Sequence, residues 1–264
     1  MSEDIVIQRA GHSARISLLG ATVVSYQHEE LGELLWVSPL ATRQEGKAIR
    51  GGIPVCWPWF ASDPRGPSHG LARTRMWSLV EQREHRARLG FEHPGDERFG
   101  AFGLELEVSL DAALQLRLTH YNRSTERQEC TGALHSYFRA RAFEAEVRGL
   151  GASPAFDKVE ARELVTDEPI AIRGKIDMVV TSSGTATLVD GGREIVVHRD
   201  NAPDVVIWNP ARDRPGDVPE GGEREFVCVE AAGVSSPWTV APGQSATMTM
   251  RIDARSGSEG SRRS

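Results

Sequence analysis

The sequence predicts an all-β fold, a large antiparallel β-sandwich, on three observations. Apolar residues recur at every second position along much of the chain, and clusters of turn-forming residues separate these runs. Extended amphipathic stretches with a 3.6-residue period are scarce. The β-α alternation of a doubly wound sheet is missing.

The elements follow in order. Arg15–Tyr26 reads as a strand. Leu104, Leu106, Val108 and Leu110 alternate with Glu105, Glu107 and Ser109, and after Asp111-Ala112-Ala113 the alternation resumes at Leu114, Leu116 and Leu118. That is a hairpin with one buried face. Ala133–Ala140 is the next strand. Arg162–Thr166 reads as a short turn of helix. Residues 185–189 and 194–197 form a second hairpin across Asp190-Gly191-Gly192, a turn rich in the residues that tolerate positive φ. Val205–Trp208, Glu225–Glu230 and Ser245–Ile252 complete the strands. The last ten residues, 255–264, are Ser, Gly and Arg with a single Glu, the composition of a disordered tail.

At about 150 residues per domain, 264 residues suggest about 1.8 domains, but β-sandwiches of about 200–250 residues are common as one unit. The Pro/Gly-rich stretches Arg65-Gly66-Pro67 and Arg212–Gly222 each lie between apolar segments and read as loops. Residues 1–254 are therefore expected to form one domain. The net charge of −6 argues against a nucleic-acid binder or an anionic-membrane binder. No apolar run reaches the roughly 18–20 residues of a membrane helix, and the acidic N-terminus lacks the marks of a secretory signal. Cys56, Cys130 and Cys228 are an odd number without metal or redox spacing, which suits a reducing cytoplasm. The eight histidines show no ligand spacing either, so no metal is expected.

Two constellations carry chemistry. Ala48–Phe60 with Pro67–Arg75 combines Trp57, Trp59 and Phe60 with several Gly and Pro, which suits a rigid, irregular wall close to a ligand. From Arg43 to Arg75 the residues Arg43, Lys47, Arg50, Arg65, Arg73 and Arg75 outnumber Glu45 and Asp63, giving +4 within a chain of −6. A local positive patch on an acidic protein fits a small anion, and the arginine fork fits phosphate; solvated arginines and structural ion pairs are the ordinary alternative. The second constellation pairs Leu134–Phe138 with Phe226–Glu230. There Phe226, Cys228 and Glu230 share one strand face. Glu230, ending an apolar strand, is expected to be desolvated towards a useful general base, with His135 as the natural general acid. Taken singly, each has a structural alternative.

These same blocks resemble the hexose-6-phosphate mutarotases, the glucose-6-phosphate 1-epimerase branch of the aldose 1-epimerase (galactose mutarotase-like) superfamily. Ala48–Phe60 with Ser68–Arg73 is similar to the A-I-R-G-G-I-P and H-G-x-A-R blocks of that family. Leu134–Phe138 resembles its histidine block, Lys175-Ile176-Asp177 its aspartate, Val206–Pro210 its Trp-Asn-Pro block and Val227–Glu230 its glutamate block. The blocks keep family order across residues 48 to 233. Ala211, Met178 and Val180 depart from the tryptophan, arginine and tyrosine usual at their positions.

The resemblance implies a β-supersandwich and a cofactor-free enzyme that interconverts the α and β anomers of a hexose 6-phosphate, glucose 6-phosphate first among them. It makes Glu230 the base and His135 the acid. Arg50, His69, Arg73 and Asp177 would bind sugar or phosphate, with a small phosphosugar as the partner of a monomeric protein. A non-catalytic sugar-phosphate-binding module and an epimerase of unphosphorylated aldoses are the competing readings.

Overall fold

The computed structural model describes residues 4–257, and among these the chain is antiparallel β-structure with three short 3-10 turns. The sheet that carries the site runs Arg162–Val165, Pro154–Asp157, Ile176–Thr181, Asp204–Asn209, Phe226–Val240, Gln128–Leu134 and Val55–Cys56, and Tyr137–Arg139 also pairs with the Phe226–Val240 strand. The opposing sheet runs Ile170–Ala171, Glu146–Arg148, Ala186–Asp190, Arg193–Asp200, Ser245–Ser256, Leu114–Asn122, Phe102–Leu110, Arg86–His93 and Ser78–Arg83. A smaller sheet of Ile5–Arg9, His12–Ile16, Val23–His28 and Gly32–Glu33 lies against the Arg86–His93 and Phe102–Leu110 strands.

The period-two pattern decides which faces meet. Leu104, Leu106, Val108 and Leu110 are buried and pair across the hairpin with the alternating leucines of Leu114–Asn122, Leu106 opposite Leu118 and Val108 opposite Leu116. Each such side chain contributes about 1.5–3 kcal/mol by leaving water. Val227, Val229 and Ala231 join this core from the facing sheet. The alternate residues Cys228 and Glu230 therefore point to the other face of their sheet, as the register also requires for Val206 and Trp208, which lie opposite Glu230 and Cys228.

Several boundaries differ from expectation. Arg15–Tyr26 is not one strand: His12–Ile16 and Val23–His28 are separated by a reversal closed by Ser17 N–H donating to the Thr22 carbonyl at 2.9 Å. Ala133–Ala140 is interrupted at His135 and Ser136, where the strand ending at Leu134 hands over to Tyr137–Arg139. The Glu230 strand is longer than predicted, continuing to Val240. Arg162–Val165 is an edge strand and not a turn of helix, held by pairing with Pro154–Asp157; cross-strand hydrogen bonds outweigh weak local preference. The expected tail is corrected at its start, since Arg255 and Ser256 pair with Glu194 and Arg193. Residues 258–264 lie outside the described residues. No helix among those described is long and apolar enough to cross a membrane.

Two glycines of the irregular wall are required by close approach. At Gly52, with φ +69°, a Cβ would lie 2.2 Å from the Val23 carbonyl oxygen. At Gly70, with φ +77°, it would lie 2.1 Å from the carbonyl oxygen of Trp57. Gly70→Ala thus combines backbone strain with a backbone clash, and is expected to cost at least ~1–3 kcal/mol. Chemical denaturation checks this; an unchanged midpoint would show that the wall gives way easily.

Candidate active site

On the face of the site sheet away from the core lies a cavity of about 440 Å³, lined among others by Arg50, His69, Arg73, His135, Asp177, Trp208 and Glu230. All six residues expected to carry the chemistry thus meet in one place, although 180 positions separate Arg50 from Glu230 in the sequence. Its size suits a ligand buried on most sides.

Glu230 is fully buried and His135 nearly so, and His135 Nδ1 lies 3.4 Å from Glu230 Oε1. The strand break explains the histidine's position. Its backbone N–H donates to the Pro54 carbonyl at 3.0 Å, which ties it to the irregular wall. Its ring stacks on Tyr137, with centroids 4.8 Å apart and planes 9° from parallel. The pair is at ion-pair range without hydrogen-bond geometry, and neither carboxylate oxygen nor His135 Nδ1 has a hydrogen-bond partner among the described residues. Buried polar groups are normally satisfied, so these three atoms have hydrogen-bonding capacity to offer a ligand.

Burial dominates the titration of both groups. It pushes the Glu230 carboxyl well above its ordinary range, reinforced by the charge of Asp177 and opposed by Lys158 and Arg73. It pushes the His135 imidazole well below its own, helped by His69, Arg73 and Arg50. Both therefore favour their neutral forms, with one transferable proton held by the pair. His69 is lowered to about 3 by burial and by Arg73, Lys158 and Arg50, so it acts at neutral pH as an uncharged ring. Its φ of +62° is unusual for a non-glycine residue and aims it into the cavity beside Phe60, 4.7 Å away between ring centroids.

The two arginines differ. Arg50 is committed: Nε donates to Asp217 at 2.9 Å and Nη1 donates to the Tyr137 hydroxyl at 2.9 Å. Arg73, on the 3-10 turn Ala72–Thr74, donates through Nη2 to the Ser68 carbonyl, while its buried Nε has no partner. Asp177 is the second residue of the Ile176–Thr181 strand, not a residue before it, and it lies 3.3 Å from Lys158 Nζ.

Sequence reading missed Lys158 and Asp217, neither of which stands in a pattern that points to the site, and it gave Tyr137, inside the His135 block, no role of its own. It also counted too many cations. Of the six basic residues between Arg43 and Arg75, only Arg50 and Arg73 line the cavity; Arg43 pairs with Asp4, and Arg65 pairs with Asp63. Trp57 and Trp59 are buried in the core, which leaves Trp208 as the tryptophan of the cavity wall. One cluster was not anticipated: the ligating atoms of His135, Cys228 and Glu230 all lie within 4.8 Å of one another.

Comparison with known proteins places this arrangement. A protein of Cenchrus ciliaris named as a candidate glucose-6-phosphate 1-epimerase is 31% identical over 268 residues, covering 92% of this chain and 82% of that one. An Escherichia coli K12 protein of the same name is 31% identical over 266 residues, covering 94% and 89%. Among solved structures, a candidate mutarotase from Salmonella typhimurium superposes with a TM-score of 0.85 at 29% identity, covering 96% of this chain and 90% of that one. The sequence pattern of the family described as aldose 1-epimerase matches residues 3–253, and with it the whole frame that brings the cavity together. The chain belongs to the aldose 1-epimerase family.

Proposed function

We propose that the protein interconverts the α and β anomers of a hexose 6-phosphate, with glucose 6-phosphate as its first substrate. The observation that carries this reading is the unpartnered His135–Glu230 pair on the floor of a cavity whose wall holds Arg73 and Lys158. The names of the 31%-identical relatives point to the same substrate.

Anomer exchange needs a proton to leave the anomeric O1 while another reaches the ring oxygen O5. The C1–O5 bond breaks, C1=O1 forms, C1 turns about the C1–C2 bond, and reclosure on the other face reverses both transfers. Glu230 as carboxylate takes the O1 proton and His135 as imidazolium supplies the O5 proton, each contributing about 10²–10⁴-fold. Substrate binding favours that ionised arrangement at both ends. The O1 hydroxyl donates to the carboxylate and replaces the water it lost. A phosphate on Arg73 cancels one of the charges that lower His135.

Arg73, with its unpartnered Nε, is the phosphate ligand in this reading, and Lys158 assists; Arg50, locked by Asp217 and Tyr137, shapes the floor. Holding the phosphate restrains the open-chain aldehyde while C1 turns. His69 and Asp177 are placed to bind sugar hydroxyls. Residues 4–254 act as one domain, supported by a core cluster that runs from Ile5 to Ile252, and residues 1–3 of the expected domain lie outside the described residues. Three buried free thiols support a reducing, cytoplasmic setting.

Two-dimensional exchange NMR on glucose 6-phosphate tests the proposal, with cross-peaks between the anomers growing faster than in buffer. Arg73→Ala is expected to raise KM about 10–100-fold, the worth of a charge-assisted hydrogen bond, while kcat changes much less. Unphosphorylated glucose should not respond to this substitution. Binding of the sugar phosphate without faster exchange in the wild type would establish the non-catalytic module instead.

A further inference from the structure

We infer that His135, Cys228 and Glu230 form an inhibitory binding site for a borderline-soft divalent cation of the zinc class, in competition with the sugar. The inhibition rests on the proposed mutarotase function; the metal binding does not.

The donor set is the first ground. One imidazole, one thiol and one carboxylate lie within 4.8 Å of one another, and all three residues are buried. Thiolate, imidazole and carboxylate are the ligands zinc takes, whereas magnesium and calcium take oxygen donors.

The spacing is the second. Two ligands about 2.0–2.1 Å from a zinc ion and at a tetrahedral angle lie about 3.3–3.4 Å apart. His135 Nδ1 and Glu230 Oε1 are separated by 3.4 Å. They hold that distance without a hydrogen bond between them, and both are unpartnered.

Strand geometry supplies the third ligand. Cys228 and Glu230 stand two residues apart on one strand and so share its face. Cys228 also lies opposite Tyr137 in the register, on the short strand whose first ring stacks on His135. The thiol thus sits at the base of the acid–base pair. Three protein ligands leave a fourth position for water from the cavity, the open arrangement of many zinc sites.

Two of the three cations around the site are compensated: Asp217 accepts from Arg50 and Asp177 lies beside Lys158, whereas Arg73 has no acidic partner among the described residues and opposes the ion. Binding releases the thiol proton and the proton held by the acid–base pair to solvent. The ion then occupies both groups that would move protons on the sugar, which makes it an inhibitor and not a cofactor.

Cobalt(II) added to the full-length, metal-free protein tests the site without reference to activity. A near-ultraviolet band of thiolate-to-cobalt charge transfer, with visible bands of four-coordinate intensity, is expected. Cys228→Ala should abolish the charge-transfer band and weaken zinc binding at least about 100-fold, since loss of a ligand costs no less than loss of its supporting contacts. Cys228→Ser serves if the alanine variant folds poorly. Cys130→Ala should keep the band, although Cys130 also lies near a histidine, 3.9 Å from His120 Nε2. Zinc should inhibit anomer exchange in the wild type, magnesium should not, and Cys228→Ala should keep basal exchange while losing zinc sensitivity. No thiolate band in the wild type, or equal zinc affinity in wild type and Cys228→Ala, overturns the site. A cobalt band in a protein that exchanges no hexose phosphate leaves the metal site standing and removes the mutarotase reading.

Discussion

Glu230→Gln is expected to lower kcat for anomer exchange by about 10²–10⁴-fold while the protein stays folded. The amide keeps the size and planarity of the carboxylate and removes its ability to hold a transferable proton. The same substitution should raise stability at neutral pH. Glu230 is fully buried with both carboxylate oxygens unpartnered, and burial holds its pKa well above the ordinary 4.5. The folded state therefore keeps this proton at pH values where the unfolded state has lost it. Ionising Glu230 works against folding, so its contribution to stability falls as the pH rises from about 4.5. Glutamine has no such dependence. The gap between variant and wild type should widen from pH 4.5 upwards, read from denaturant midpoints at several pH values. A variant that exchanges anomers within a few-fold of wild type would remove Glu230 from the chemistry. Higher activity with lower stability in the wild type is the trade expected of a functional group held in an unfavourable place.

The largest effect on stability is expected from Asp204→Ala. This carboxylate is also fully buried, but it is satisfied in full. It accepts from the Val234 N–H at 2.7 Å, the Ser235 N–H at 2.8 Å, the Ser235 hydroxyl at 2.6 Å and the Thr181 hydroxyl at 2.8 Å. These bonds fasten three adjacent strands of the site sheet at one level, just past Glu230 along the Phe226–Val240 strand. Alanine leaves the donors unpaired at a cost of about 3–4 kcal/mol, or a fall of about 10 °C in Tm. Asp204→Asn, which keeps one acceptor oxygen, should recover part of the loss. A Tm within about 3 °C of wild type for Asp204→Ala would mean that water replaces the carboxylate. The contrast between the two carboxylates is physical. One is buried with partners and stabilises; the other is buried without them and is available to a substrate.

Much of the frame was legible from local pattern. The alternation at Leu104–Leu118 and the Gly-Gly turn at 191–192 predict hairpins that the structure contains. The same-face relation of Phe226, Cys228 and Glu230 was also readable, because it depends only on the two-residue repeat of a strand. Where local preference was weak the reading failed. Arg162–Val165 is extended because Pro154–Asp157 lies beside it, and the strand expected from Arg15 to Tyr26 turns back on itself.

The sequence by itself determined the β-class, the hairpins, the faces of the strands and the candidates for moving protons or holding a phosphate, because each is a property of neighbours along the chain. Only the tertiary structure decided that His135 stands 3.4 Å from Glu230, that Asp217 ties up Arg50 across 167 residues, and that Lys158 joins the cavity. Distances between strands depend on register and on loops that close far from either partner. The shifted acidity of the pair depends on water excluded by the assembled core, and no local pattern encodes it.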